Sequence, residues 1–377
     1  MLLKQHGHTT SEFFRFNDDL LKLGFRGAIR GSLSTPWNPF SARSIRRAID
    51  EFKPGVVHVH NTFPLISPSI FHAIGSRAAR VLTLHNYRLF CPAATPLRDG
   101  RVCTECIDRQ NVWPALRFAC YRDSRLATLP VALGVAAHRN LGTWRHQVDA
   151  FIVLTAFQRD LMVKAGLPKE RIHIKPNFYP GVAPSLSWEK RNNAVVFAGR
   201  LTAGKGIESL VQAWITWGSS APKLRIAGDG ELRQKLEQIA ATNPQVKIRF
   251  LGQLSKTETQ QEIARSRLLV LPSISLETFG LVILEAFASG TPAAVSNVGP
   301  LPSIVRDGQN GIVFSPDNPQ SLLDAVKTSW ECEGKLEQLA SGARQSFESM
   351  YTADINYRRL VEIYEQAVEV SRARKTS

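Results

Sequence analysis

A chain of 377 residues exceeds the roughly 250 to 300 at which a single hydrophobic core stops growing, so two domains are expected rather than one. Its 44% hydrophobic and 21% charged residues exclude a disordered, collagen-like or disulfide-scaffold chain. Forty-seven Lys and Arg against 32 Asp and Glu leave a net charge of +15, which favours anionic partners such as nucleotides, diphosphates, nucleic acid or an acidic membrane face.

The first residues, Met1–Thr10, carry Lys4, Gln5, His6 and His8 where a secretion signal needs an apolar stretch. A cytoplasmic protein is therefore expected, and five cysteines in so long a chain fit a reducing compartment. Apolar runs at Val56–His60, Val81–His85, Ala150–Leu154 and Ile172–Lys175 predict the strands of a first α/β domain. The most apolar stretch, Leu126–Ala137, is closed by His138 and Arg139, well short of the about 18 residues a membrane span needs. Between Asn177 and Lys190, Pro180, Gly181, Pro184 and two serines read as a linker.

Beyond the linker, predicted strands at Ala194–Phe197, Leu224–Ala227, Val246–Leu251, Leu268–Leu271 and Pro292–Val295 alternate with predicted helices. The helices span Gly206–Trp217, Glu231–Ala241, Lys256–Ser266 and Gly280–Ser289, the third opened by the capping-box spacing Ser255-x-x-Glu258. This alternation means a parallel sheet covered on both faces, a Rossmann-like domain. The domains are set at residues 1–180 and 191–350, with a last helix inside 351–377 (about Asp354–Arg372) expected to cross back to the first.

Four constellations carry chemistry. Phe197–Gly206 turns through Gly199, Gly204 and Gly206 and offers Arg200 and Lys205; such a loop either cradles a phosphate or merely turns with solvated cations. Thr278–Leu281 opens an apolar helix with unbonded amides, flanked by Glu277 and Glu285, and an acid in so apolar a helix is usually paired or liganded. Cys91, Cys103, Cys106 and Cys120 have the number and C-x-x-C spacing of a tetrahedral zinc site, with free thiols and disulfides as alternatives. From Trp113 to Arg145, apolar residues mix with arginines, which suits an anionic membrane surface as well as a solvated helix packed on its own domain.

These motifs together resemble the retaining GT-B glycosyltransferases of the group 1 (family 4) class. The resemblance rests on Glu277-x7-Glu285, the Gly199–Gly206 loop, Gly228-Asp-Gly230, Ala288–Pro292, Ser296–Gly299 and Val148–Thr155, and covers nearly the whole chain. It implies two Rossmann-like domains facing across a cleft. It also implies a UDP- or GDP-sugar donor held by Arg200 and Lys205 on the diphosphate, with the amides of Phe279, Gly280 and Leu281, Glu285 on the ribose and Glu277 on the sugar. His85, in Leu82–Tyr87, would stand near the donor sugar, with His60 and Asn61 on the acceptor side. Asn86 replaces the acid more common there. The acceptor would be a glycan or lipid-linked saccharide in polysaccharide or glycolipid synthesis at the inner face of the cytoplasmic membrane, with no catalytic metal and no nucleic acid. A nucleotide-sugar epimerase or phosphorylase-like enzyme, and a zinc-containing nucleic-acid-binding protein, are the rival readings. In the family a first strand and glycine-rich loop precede a helix ending like Leu2–His8, so an N-terminal domain lacking its first strand, poorly stable or weakly active, is expected.

Overall fold

The computed structural model describes residues 2–16 and 24–376; Met1, expected inside a helix, lies outside the described residues. The chain divides into two compact units. One comprises Met1–Pro96, Cys103–Lys175 and Tyr357–Ser377, the other Leu97–Val102 and Pro176–Asn356.

The first unit is built on β1 (Val56–Val59) and β2 (Ala79–Thr83). The hairpin β3 (Leu97–Arg98) and β4 (Arg101–Val102) follows them in the chain but groups with the second unit. The first sheet then continues through β5 (Ala150–Val153) and β6 (Ile172–Ile174), all parallel in the order β1-β2-β5-β6. Every residue of β2 and β5 is buried, as strands covered on both faces require. The terminal helix Ala353–Thr376 covers one face, laying Leu360, Ile363 and Ala367 against Ala79, Val81, Ala150 and Ile152. That spacing forms a single helical stripe.

A buried ion pair joins β2 to the residue that precedes β5. Asp149 Oδ2 accepts from the Arg80 backbone N–H at 2.8 Å and from its Nε at 3.2 Å, and Arg80 also donates to Gln147 Oε1 at 2.6 Å. Arg374 of the terminal helix donates to Asp149 as well. Two cations thus share one carboxylate whose side chain is 0% exposed.

The second unit holds β7 (Asn192–Ala198), β8 (Lys223–Ala227), β9 (Ile248–Gly252), β10 (Ser266–Leu271), β11 (Ala293–Ser296) and β12 (Gly311–Phe314). All pair in parallel, in the order β12-β11-β10-β7-β8-β9. Val195, Phe197, Leu268 and Val270 form its core with Trp214, whose indole N–H donates to the Pro222 carbonyl at 2.9 Å. The capping box of Ser255 and Glu258 is formed. Hydrophobic periodicity does not predict the sixth strand, β12. Its apolar run is only Ile312–Phe314, and it enters the sheet through Gly311, where a Cβ would stand 2.1 Å from the Ala293 carbonyl oxygen. From Pro176 to Leu186 the chain forms no helix or strand.

Asp149→Ala should cost about 3–5 kcal/mol, because it strands Arg80 in the interior. Urea unfolding of the variant beside wild type measures this, and a loss below about 1 kcal/mol would show the pair to be dispensable.

Candidate functional site

In the second sheet the strand order reverses between β7 and β10, which are neighbours. Ligands of open α/β sheets bind at such a switch point, outside the carboxyl ends of the strands. Both expected donor loops leave from here: Gly199–Gly206 follows β7, and Pro272–Gly280 follows β10. They are bonded to one another. The Gly204 carbonyl accepts from the amides of Ile274 at 3.1 Å and Ser275 at 3.2 Å, and from Ser275 Oγ at 3.1 Å. Gly206, at φ 65°, lies so close to Pro272 that a Cβ would be 1.9 Å from its carbonyl oxygen. A third loop closes in from β8, where a Cβ on Gly228, at φ 141°, would meet the Gly199 oxygen at 1.8 Å. Here glycine is a steric requirement of three loops converging, beyond any freedom of turning.

The side chains join the same loops. Lys205 Nζ lies 2.6 Å from Glu277 Oε1, which also accepts from Ser273 Oγ at 2.8 Å. The resemblance gives Lys205 and Glu277 to different parts of a ligand; their pairing and the bond from Ser273 emerge only in the fold. Arg200 is exposed on the first loop. The helix Leu281–Ala288 begins at Gly280, φ 81°, with no side-chain cap, so its first amides and its positive dipole end stay available to an anion. Phe279 is buried edge-to-face on Tyr351 at 5.8 Å, while Leu281 is exposed. Glu285 is half-buried, and burial holds its carboxyl above the usual range against a hydrogen bond from Gln260 and the charge of Lys256. The hairpin β3–β4, also unforeseen, brings a Leu97 methyl to 3.2 Å from where a Cβ on Gly204 would sit.

The first unit places histidines at its own strand ends. His60 follows β1 and His85 follows β2, and His60 Nδ1 lies 3.0 Å from His85 Nε2. Behind them, His58 bridges the Tyr364 hydroxyl and Thr83 Oγ1, each at 2.7 Å, and its ring lies 4.2 Å from that of His60. Burial pushes His60 down to about 4, with the neighbouring His85 and Lys175 acting in the same direction. His85 and His58 are lowered chiefly by burial too, and Lys175 is lowered to about 8 by burial and the charge of Arg359. The three rings are therefore neutral at pH 7, able to donate through one nitrogen and accept through the other. His60, Asn61, His85, Asn86 and Arg88 line a pocket whose remaining wall is largely apolar. Asn86 spends its side-chain oxygen on the Arg88 amide, at 2.9 Å.

Among the described residues none of the four cysteines of the loop region is in a disulfide. Burial raises Cys91 to about 12 and Cys106 to about 11, each with a neighbouring cysteine adding to the shift. Among the described residues no group of three or more His, Cys, Asp or Glu is disposed to hold a metal ion, so the zinc expectation for Cys91, Cys103, Cys106 and Cys120 has no geometric counterpart there.

Two units built on parallel sheets, the second with its loops meeting at a switch point, give the GT-B class of glycosyltransferase folds. Residues 183–346 match the family of glycosyl transferases group 1, and residues 3–180 match glycosyltransferase family 4. The chain belongs to these group 1 / family 4 glycosyltransferases. A glycosyltransferase structure from Rickettsia africae ESF-5 superposes with a TM-score of 0.65 at 16% identity, over 89% of this chain and 83% of that one. HepE from Anabaena, solved in complex with UDP, gives a TM-score of 0.61 at 17% identity, over 85% and 80%. At these identities the likeness is one of fold. Among curated relatives, an uncharacterized glycosyltransferase from Methanocaldococcus jannaschii is 33% identical over 226 residues, 54% of this chain and 56% of its own length. The sulfoquinovosyl transferase of Arabidopsis thaliana is 25% identical over 326 residues, 82% of this chain and 57% of its own. The chain thus spans little more than half the length of these relatives.

The depressed histidines make stability depend on pH. His60 titrates at about 4 in the fold against 6.5 in an unfolded chain. Between those values the unfolded chain binds a proton that the native state refuses, so stability present above pH 6.5 is lost as the pH falls towards 4. Thermal melts across this range should show a smaller loss for His60→Asn than for wild type; equal losses would place His60 outside the effect.

Proposed function

We propose that this chain is a retaining glycosyltransferase that moves a sugar from a UDP- or GDP-sugar to a glycan or lipid-linked saccharide, at the inner face of the cytoplasmic membrane. The observation that carries the reading is the convergence of Lys205, Glu277 and an uncapped helix N-terminus at the β7/β10 switch point. Arg200 and Lys205, with the amides of Phe279, Gly280 and Leu281, hold the diphosphate, and Glu285 binds the ribose hydroxyls. Glu277 binds the donor sugar and, through Lys205, ties it to the phosphates. The first unit takes the acceptor, with His60, Asn61 and His85 at its strand ends.

The chemistry needed from the protein is electrostatic. The bond from the anomeric carbon to the diphosphate oxygen breaks, and the acceptor oxygen forms a bond on the same face. The acceptor proton passes to the departing phosphate oxygen. Negative charge grows on the leaving group, and two cations plus a helix N-terminus, fixed before reaction, stabilise it without reorganising. No residue is assigned as a covalent nucleophile. HepE, bound to UDP in its own structure, supports trying uridine diphosphate sugars first.

Lys205→Ala and Glu285→Ala should each lower kcat/KM by about 100-fold or more, some 2.7 kcal/mol of transition-state stabilisation, with far-UV circular dichroism unchanged. Transfer should survive EDTA, since the cations already supply the charge. Turnover at wild-type rates in both variants, or no thermal stabilisation by any nucleoside diphosphate, would refute the donor site.

A further inference from the structure

One helix of the first unit has two apolar faces, and only one of them is covered. In Arg125–Asn140, residues Val131, Gly134 and Val135 are buried and line the pocket beside His85. A Cβ on Gly134 would stand 3.3 Å from Pro36 Cα, so this side is packed to backbone contact. On the opposite side Leu126, Leu129 and Leu133 follow the i, i+3, i+7 spacing of one stripe and are exposed, Leu126 by 84% and Leu133 by 53%. The helix Trp113–Arg117, which packs on this one, adds Trp113, 69% exposed, and the following Phe118 is exposed too.

Charge identifies the occupant. Residues 109–146 hold six arginines, Arg109, Arg117, Arg122, Arg125, Arg139 and Arg145, against one acid, Asp123. Arg139 is half-buried against the Phe90 ring, 5.2 Å from its centroid; the other five are exposed. Among the described residues no carboxylate pairs with Arg117, Arg122 or Arg125. The turn between the helices is held in place: Thr128 Oγ1 accepts from the Tyr121 amide at 3.0 Å and donates to the Ser124 carbonyl at 2.7 Å, and Ser124 caps the second helix. Exposed leucines and aromatics fixed within a group of unpaired arginines are what an anionic lipid interface accepts, the apolar groups entering the acyl boundary and the guanidinium groups meeting headgroups. No described helix is long and apolar enough to cross a membrane, so the contact is with its surface.

We propose that the face made by Trp113–Arg117 and Arg125–Asn140 docks the protein on an anionic lipid bilayer. The docking deepens the membrane-face reading but does not require the transferase chemistry, and it can fail while donor binding stands. The protein should co-sediment with phosphatidylcholine vesicles containing phosphatidylglycerol, more weakly with phosphatidylcholine alone, and be released by salt. Leu126→Glu with Leu133→Glu should weaken binding at least ~10-fold, with the melting temperature and its shift by UDP unchanged. Should that variant fold poorly, Arg117→Ser with Arg125→Ser should weaken binding to the anionic vesicles alone. Failure of wild type to sediment, or undiminished binding by folded variants, would overturn the proposal. So would a leucine effect confined to self-association in analytical ultracentrifugation, which would assign the face to a second copy of the chain.

Discussion

The reversal of winding between β7 and β10 governs the second unit. Two parallel strands lie side by side while their following helices depart to opposite sides, so the loops leaving them border the same space. Those loops are then bonded together through the Gly204 carbonyl and through Lys205 with Glu277. The glycines follow from this arrangement. At Gly206 and Gly228 the neighbouring backbone occupies the place of a Cβ, so the convergence of the loops dictates residue type at both positions.

The first unit uses the same strand-end geometry with opposite electrostatic logic. In the second unit a charged lysine is held in place by a carboxylate 2.6 Å away. In the first, imidazoles lose their charge by burial and by the proximity of one another and Lys175. A neutral ring with a fixed neighbour is a hydrogen-bonding surface for hydroxyl groups, which suits an acceptor better than a phosphate. Tyr364, from the terminal helix, anchors His58 at the back of this cluster, so the helix that covers the sheet also supports the site.

Residues 91–146 carry features that the sheets do not explain. Thiols kept protonated by burial, a hairpin against the Gly204 loop, and a helix with leucines facing outward all fall in this one stretch.

The sequence alone was sufficient for the alternation of strands and helices, because a buried parallel strand must be apolar throughout and its covering helix amphipathic. It also located the loops after β7 and β10, since glycine and charge cluster in these turns. Periodicity could not find β12, whose three apolar residues gain strand identity only by pairing with β11. Nor could it place Leu97 beside Gly204, join Lys205 to Glu277 across 72 residues, or bring His60, His85, His58 and Tyr364 together, because each of these depends on which strand lies next to which. The four cysteines have metal-site spacing in the sequence, yet spacing fixes only how far apart ligands lie along the chain. Whether their thiols converge was decided by the fold around them.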